Sequence, residues 1–247
     1  MSAGAIPDDQ VLDDQVLGGR VGDGNALDGK YYEAARPRSL GERLTAVARD
    51  RIYADFLRLA RPGPDTTLLD IGVSDVVNDA ANVLERRYPC PERITAVGLG
   101  SAEAFRAAHP AVAYRQVAAD CRLPFADGSF DIATSNAVLE HVGSVANQRL
   151  MLAEMVRVAR TVFLTVPHRY FPVEHHTGIP LLHYRDASFR FACRRLGKAA
   201  WAEEENLILM SRRRLAALVP PGRPARIGQT GLRLGPASSN LFLLIAG

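Results

Sequence analysis

The chain has 247 residues, a formal net charge of +3, 47% hydrophobic residues and 23% charged residues. These values are typical of a folded globular protein and exclude a fibrous or largely disordered chain. No apolar run approaches the roughly 18 residues that a membrane-spanning helix needs, so we expect no membrane span. Three scattered cysteines and an acidic start without a secretory signal predict a reduced, cytoplasmic setting.

The first 30 residues differ in character from the rest. They hold six Asp against one Arg and one Lys and repeat Asp-Asp-Gln-Val-Leu in tandem, so the remainder carries a net charge of +7. We predict a flexible tail at 1–30 and a single domain at 31–247. Basic residues cluster at 190–195 and 212–214. We expect solvated helix faces rather than a nucleic-acid surface; an anionic substrate is the third alternative.

The domain opens with a helical region at 31–62. Ser39 and Glu42 form a capping-box pattern, and Pro62 ends the apolar repeat at helical spacing. Strand and helix patterns then alternate, which predicts βαβ units and a mainly parallel sheet. A short turn joins the last two strands, so they must pair antiparallel. Strands are predicted at 66–71, 93–98, 112–118, 129–134, 161–166, 225–234 and 240–246, and helices at 77–88, 101–108, 144–159, 186–197 and 211–219.

Two segments carry a recognisable pattern. The first, from Leu68, reads Leu-Leu-Asp-Ile-Gly; the second, from Leu123 to Val142, reads Leu-Pro-Phe-Ala-Asp-Gly-Ser-Phe-Asp-Ile-Ala-Thr-Ser-Asn-Ala-Val-Leu-Glu-His-Val. The second closely resembles a segment of class I S-adenosylmethionine-dependent methyltransferases of the small-molecule branch. The resemblance implies an α/β fold: a Rossmann-like, seven-stranded, mainly parallel sheet with a C-terminal antiparallel hairpin and helices on both faces. It also implies S-adenosylmethionine as cofactor and a small-molecule substrate.

The resemblance assigns cofactor-binding roles to the turn after the first strand. Gly72 would allow close backbone approach to the methionine half of the cofactor, and Asp70 would orient the loop or the ligand ammonium. Val73 and Ser74 continue the turn, with Ser74 standing where the family pattern has its second glycine. A plain turn between a strand and a helix is the alternative.

The next two strands supply the other expected cofactor contacts. Family members end the second strand with an acidic residue that accepts hydrogen bonds from both ribose hydroxyls, and Gly100 is expected at that place. Glu103 could reach in instead. Asp120 and the neighbouring Cys121 correspond to residues that contact the adenine ring, and a plain loop carboxylate is the alternative for Asp120.

The fourth strand is expected to bring Ser135 and Asn136 to face the sulfonium. His141, in the turn that follows, is a candidate catalytic base because imidazole titrates near neutral pH. A hydrogen-bonded, structural Glu-His pair is the alternative. His168, which stands where a similar family subgroup has Asn, is the second catalytic candidate.

Residues 168–210 are predicted to form an insertion on the substrate side of the domain. The spacing of its histidines is broken by prolines and lacks nearby cysteines, so we expect no metal site. Structural histidines are the alternative to substrate contacts here, and tyrosines that anchor the tail are the alternative to a lid at the N-terminus. The predicted substrate-binding residues are Tyr31, Tyr32, Tyr170, Glu174, His176 and His183.

The leading hypothesis is a cytoplasmic methyltransferase of secondary metabolism that acts on a small-molecule or lipid-like metabolite. The alternative is a degenerate or repurposed methyltransferase fold with weak or no cofactor binding, which acts as a non-methylating enzyme or binding partner; Ser74 and Gly100 motivate it. A nucleic-acid methyltransferase comes third, because the sequence lacks an Asn-Pro-Pro-Tyr-type site. The oligomeric state is left open, and a homodimer is allowed.

Overall fold

The computed structural model describes residues 40–76 and 81–247. The predicted tail, the capping-box residue Ser39, and Tyr31 and Tyr32 therefore lie outside the described residues. Among the helices of the described part, none combines the length and the apolar character that crossing a bilayer requires.

A single seven-stranded sheet organises the described residues. Its strands are β1 (Leu68–Ile71), β2 (Ile94–Gly98), β3 (Ala113–Gln116), β4 (Phe130–Asn136), β5 (Ala159–Pro167), β6 (Ala225–Leu234) and β7 (Ala237–Ile245). They lie in the order β3-β2-β1-β4-β5-β7-β6. The first five run parallel, and β7 pairs antiparallel with both β5 and β6. This topology confirms the predicted Rossmann-like sheet with a reversed C-terminal hairpin.

Helices cover both faces of the sheet. They are α1 (Leu40–Ala60), α2 (Val83–Arg87), α3 (Glu103–Ala108), α4 (Val145–Val158), α5 (Asp186–Arg195) and α6 (Arg212–Ala216). Side chains alternate between the faces of a strand, so Leu69 packs with α4 residues such as Leu152. Leu68 packs on the other face with Phe56 of α1 and Phe105 of α3. Each face thus has its own apolar core.

The five helices predicted between the strands are all shorter than predicted, and two of them show the local reason. Helix α2 begins at Val83 because Asn82 has a left-handed backbone (φ 48°). The Asn82 side chain holds both backbone groups of Ser74, accepting from its N–H (3.0 Å) and donating to its C=O (2.7 Å). Helix α4 ends at Val158, one residue early, because Ala159 already pairs with Phe130 in the sheet.

The segment from His168 to Met210 leaves the sheet after β5 and returns to the point where it left. His168 and Met210 form an isolated parallel bridge, and the Arg169 N–H donates to the Met210 carbonyl (2.9 Å). This closed segment has a small apolar cluster of its own. The buried members of that cluster are Ile179, Phe189, Ala192, Cys193, Trp201, Leu207 and Leu209.

Candidate active site

A cavity of about 1550 Å³ opens at the carboxyl ends of β1, β2 and β4. Ligands bind at this edge of open α/β sheets, next to the point where the strand order reverses, and here β1 and β4 flank that point. Helix α1 and residues 171–178 close the cavity from the side. Its volume exceeds the roughly 300–1,000 Å³ of an ordinary ligand pocket, so it has room for two molecules.

The turn after β1 forms one wall of the cavity. Gly72 has a φ of +88°, and a Cβ there would overlap the Val138 side chain, so both the backbone and the space require glycine. The N–H groups of Gly72 and Val73 donate to the Val97 carbonyl (2.9 and 3.3 Å). Ser74 is buried, and its Oγ accepts from the Val76 N–H (3.0 Å). Side-chain hydrogen bonds of Ser74 and Asn82 therefore shape the turn where the family pattern has further glycines.

Asp70 lies behind this turn rather than in it. Among the described residues that line the cavity, Asp70 is not included. Its carboxyl lies beside that of Glu85, which is buried and meets no hydrogen-bond donor within the described residues. Burial and the neighbouring negative charge hold the pKa of Glu85 well above its usual value, and burial also raises the pKa of Asp70. The geometry gives Asp70 a partner other than the predicted ligand.

The second strand ends at Gly98, the last residue of its predicted range, so the strand-end position is Gly98 and not Gly100. A Cβ on Gly98 would come within 2.9 Å of the Tyr114 hydroxyl, which donates to the Gly100 carbonyl (2.6 Å). Tyr114 of β3 therefore fills the space into which an acidic side chain at the strand end would extend. Gln116 also lines the cavity and donates to the Leu99 carbonyl (2.8 Å).

Of the four remaining residues that were predicted to contact adenosine, two line the cavity and two do not. Gly100 and Cys121 line it, whereas the exposed Glu103 and Asp120 are outside the described lining. The Asp120 carboxylate accepts from the Arg122 N–H (3.0 Å), the geometry of a plain loop carboxylate. Cys121 has a left-handed backbone, with a φ of 61°.

At the end of β4 the two predicted residues have different surroundings. Asn136 lines the cavity and accepts a hydrogen bond from Thr165 Oγ1 (2.6 Å). Ser135 is buried, and its hydroxyl donates to the Ile71 carbonyl (2.9 Å), which ties β4 to β1. Of the pair, Asn136 is the one placed to meet a ligand.

A histidine pair forms another part of the cavity wall. The Nε2 atoms of His141 and His176 are 3.0 Å apart, and both residues line the cavity. His141 Nδ1 donates to the Asn206 carbonyl (2.7 Å), and Trp201 packs against both rings. Glu140 lies beside the pair with only 1% of its surface exposed. Burial raises the pKa of Glu140 to about 7, against the lowering effect of His176.

Glu174 organises the loop that carries His176. Its carboxylate accepts from His176 Nδ1 (2.8 Å), from the backbone N–H groups of His176 and Thr177 (3.0 and 2.6 Å) and from the Thr177 hydroxyl (2.7 Å). Burial alone would raise the pKa of Glu174, but these partners lower it well below its usual range. Burial would likewise lower the pKa of His176, and the Glu174 carboxylate raises it overall.

Three predicted residues lie away from the large cavity. His168 bonds the Ser238 carbonyl through Nδ1 (3.2 Å), and burial lowers its pKa. His183 is buried and donates from Nε2 to the Phe171 carbonyl (2.7 Å). Tyr170 is half exposed, with its ring edge against Tyr184. None of the three is among the described lining residues, so the geometry does not favour His168 as a catalytic group.

The cavity wall also contains residues that no motif indicated. Leu99, Tyr114 and Gln116 lie beside the β2 end, and Ala48 and Ile52 face the cavity from α1. For Gln116, the signal available in the sequence was its position at the end of a predicted strand. The α1 residues could not be separated from core residues by periodicity alone.

Comparisons with known proteins find the same fold in other proteins. Residues 69–161 match the family model described as a methyltransferase domain. Magnesium protoporphyrin IX methyltransferase from Synechocystis PCC 6803, solved with bound S-adenosylhomocysteine, aligns over 90% of this chain and 95% of its own, with 11% identity and a TM-score of 0.55. An S-adenosylmethionine-dependent methyltransferase from Thermotoga maritima aligns over 83% and 93%, with 16% identity and a TM-score of 0.51.

A third structure shows that similarity at this level establishes the fold and not the activity. A protein from Rhodobacter sphaeroides provisionally named a zinc-dependent alcohol dehydrogenase aligns over 91% of this chain and 98% of its own, with 12% identity and a TM-score of 0.55. At these identities the structures share the fold alone. No curated protein matches the sequence.

The residues of the strand-end wall fit the cofactor that the family uses. A glycine whose Cβ would overlap Val138 lets backbone approach a ligand closely, and the ends of three strands face one cavity. The departure from the family pattern is at the end of β2, where this chain has Gly98 and family members have an acidic residue. Residues 69–161 of this chain therefore form a methyltransferase domain, set within a Rossmann-like sheet of methyltransferase topology.

Proposed function

We propose that the chain methylates a small molecule with a largely apolar body, bound between the strand ends and the histidine pair. The observation that carries this proposal is the single cavity of about 1550 Å³, which joins the strand-end wall to the wall formed by α1 and residues 171–178. One molecule would occupy each half. Many residues of the second half are apolar, including Leu44, Ala48, Ile52, Phe171, Pro172 and Val173.

The strand-end half would hold the cofactor. Gly72 and Val73 would admit its methionine part, and Gly100 and Cys121 would border the adenosine part. When bound, S-adenosylmethionine supplies an electrophilic methyl group for direct displacement. What the protein must add is alignment, exclusion of water and, where the acceptor requires it, removal of a proton. Asn136 and His141 would be the polar groups at the junction of the two halves.

The second half would hold the acceptor. Residues 168–210, which we propose as a substrate-side insertion, contribute Glu174 and the ring of His176 to its wall. The three cysteines of the described residues are free, which supports the proposed cytoplasmic setting. We also propose a role in secondary metabolism, as the family resemblance suggests.

A binding experiment tests the cofactor half directly. Isothermal titration of the purified chain with S-adenosylmethionine and with S-adenosylhomocysteine should show one site per chain. Gly72→Ala should weaken binding by at least about tenfold, because a Cβ would overlap Val138 at a backbone conformation that disfavours alanine. Absence of binding to the wild-type chain at millimolar cofactor would overturn the proposal.

Gly128→Ala is the matched control. Gly128 also has a left-handed backbone (φ +64°), but a Cβ there would meet nothing within 4 Å. The control therefore carries the backbone strain without the steric overlap, and it should retain cofactor binding. Release of S-adenosylhomocysteine in the presence of apolar amine, thiol and hydroxyl acceptors would then identify the acceptor class.

One observation favours the alternative of a fold that no longer methylates. Gly98 offers no acid for the ribose hydroxyls, and Tyr114 occupies the adjoining space. Unpaired buried hydroxyls would cost about 1–3 kcal/mol of affinity. The same titration separates the two hypotheses, since this alternative requires weak or absent binding by the wild-type chain.

A further inference from the structure

We propose that Glu140, His141 and His176 form a binding site for a divalent transition metal of the zinc class. One carboxylate oxygen of Glu140 and one ring nitrogen of each histidine lie within 4.8 Å of one another. Glu140 and His141 come from the turn after β4, and His176 comes from the loop after β5. Neither segment alone has the spacing of a metal motif, so the sequence did not predict this site.

The hydrogen bonds of the two histidines determine which ring nitrogens carry protons. His141 Nδ1 faces the Asn206 carbonyl, and His176 Nδ1 faces the Glu174 carboxylate; both partners are acceptors. Each Nδ1 must therefore be the protonated nitrogen. In the neutral rings both Nε2 atoms then present lone pairs toward each other across 3.0 Å. Such an arrangement requires a positive charge between them, either an additional proton or a metal ion.

Glu140 distinguishes the two alternatives. Its side chain is 1% exposed, and neither oxygen has a hydrogen-bond donor among the described residues. Oε1 lies 3.9 Å from His141 Nε2. A proton shared by the histidines would satisfy the two nitrogens and leave this carboxylate without a donor. A metal ion would engage all three groups, and its two charges would match the carboxylates of Glu140 and Glu174.

The distances are close to those of a tetrahedral zinc site. With Zn–N bonds of about 2.0–2.1 Å, neighbouring ligand atoms lie about 3.3 Å apart; two of the three separations are 3.0 and 3.9 Å, and the third, from Glu140 to His176, is at most 4.8 Å. Two histidines and a glutamate are a ligand set of catalytic zinc sites, which keep one position open. Both histidines line the large cavity, so the open position would face the acceptor half.

The surroundings also resemble a prepared metal site. The Glu174 carboxylate accepts from His176 Nδ1, the contact that commonly orients the ring of a metal-bound histidine and leaves its Nε2 free to bind the ion. Backbone hydrogen bonds hold the ligand turn in place: the Glu140 carbonyl accepts from the Ile208 N–H (2.8 Å), and the Leu139 carbonyl accepts from Gln148 Nε2 (2.9 Å). Trp201 covers the two rings.

The test is a metal titration of the full chain after treatment with a chelator, with no cofactor or acceptor present. Zn²⁺ should bind at one ion per chain by elemental analysis. Co²⁺ should give the intense visible absorption of a tetrahedral site, without the near-ultraviolet band of thiolate ligation. Because no cofactor is added, this result is independent of the proposed methyl transfer.

The variants remove one ligand atom each and preserve the other contacts. His141→Asn and His176→Asn keep a donor near the Nδ1 position and lose Nε2, and Glu140→Gln keeps the side-chain shape. Each should weaken metal binding by at least about tenfold. His109→Asn, which changes a histidine at the end of α3 outside this site, should bind like the wild-type chain. Thermal unfolding of each metal-free variant checks that it is folded.

Two results would overturn the proposal. One is a wild-type chain that binds no stoichiometric Zn²⁺ or Co²⁺; the pair would then share a proton. The other is equal binding by the wild-type chain and all three ligand variants, which would place the metal elsewhere, for example on the free cysteines.

Discussion

The two halves of the cavity are built in different ways. The strand-end half consists mainly of backbone and small side chains, and the sheet fixes its position: Gly72, Gly98 and Gly100 follow strands whose register is set by pairing. The histidine half consists of side chains from segments far apart in the chain, held by a hydrogen-bond network around Glu174. A fold can therefore determine the first half, whereas particular side chains determine the second.

The largest expected effect tests whether the histidine half depends on that network. Glu174→Ala removes an acceptor of four hydrogen bonds and leaves His176 and the Thr177 backbone without their partner. We expect a loss of about 3–5 kcal/mol in the free energy of unfolding, or local unfolding of 168–210. Urea unfolding and hydrogen exchange measure these outcomes.

Thr177→Val is the matched control for Glu174→Ala, since it removes one of the four hydrogen bonds to the same carboxylate, the one from the Thr177 hydroxyl, and should cost about 1 kcal/mol. Cofactor affinity should fall far less in Glu174→Ala than in Gly72→Ala. If Glu174→Ala abolished cofactor binding in a folded chain, the two halves would not be independent.

The next-largest expected effect is a gain in stability, and it comes from a change at Glu85, behind the strand-end half of the cavity. Glu85 has a raised pKa in the folded state because it is buried beside Asp70. The folded state therefore binds more protons than the unfolded state above pH ~4.3, the unfolded value, and stability falls as the pH rises from there toward the folded pKa. Glu85→Gln removes this penalty, so the variant should be more stable than the wild-type chain at pH 8 by about 1–2 kcal/mol.

The advantage of Glu85→Gln should disappear below pH ~4, where both states are protonated. Chemical unfolding across this range measures it. Glu154→Gln is the control of opposite sign, because the Arg157 hydrogen bonds lower the pKa of Glu154; its loss of stability should be present at neutral pH and vanish in acid. A Glu85→Gln curve parallel to that of the wild-type chain would contradict a raised pKa of Glu85 in the folded state.

The smallest expected effect tests whether the residue at the end of β2 contacts the ribose of the cofactor. Gly98→Asp alone should not improve cofactor binding, because its Cβ would crowd the Tyr114 hydroxyl. The double variant Gly98→Asp/Tyr114→Phe removes that hydroxyl and places an acceptor at the strand end. We expect it to bind S-adenosylmethionine about 5–10-fold more tightly than Tyr114→Phe does. Titration calorimetry measures the difference, and equal affinity would show that this position does not contact the ribose.

The sequence predicted the fold well because strand pairing and apolar alternation leave a periodic signal. Every strand of the sheet, including the reversed hairpin of β6 and β7, lies near its predicted range. The predicted range of β2, 93–98, ends at the last paired residue, Gly98, although the position of the family's acidic residue was assigned to Gly100. A pattern that locates a strand does not by itself locate the residue that contacts a ligand.

The histidine half could be predicted only in part. His141 and His176 were both identified, but their contact joins residues on two separate segments, and no periodicity reports such a pair. His168 and His183 have the same residue type and lie in the same region, yet backbone carbonyls occupy their ring nitrogens. Residue type alone does not tell a ligand-facing histidine from one that supports a loop.

The closed segment from His168 to Met210 has a consequence for how this protein can diversify. It leaves and rejoins the sheet at one bridge and has its own apolar cluster. Exchange of this segment between relatives would change what is accepted at one wall of the cavity, while the strands at the other wall kept their register. New acceptors could thus be acquired by replacing one closed segment together with its few partners outside it, such as Glu140 and His141, while the sheet stayed as it is.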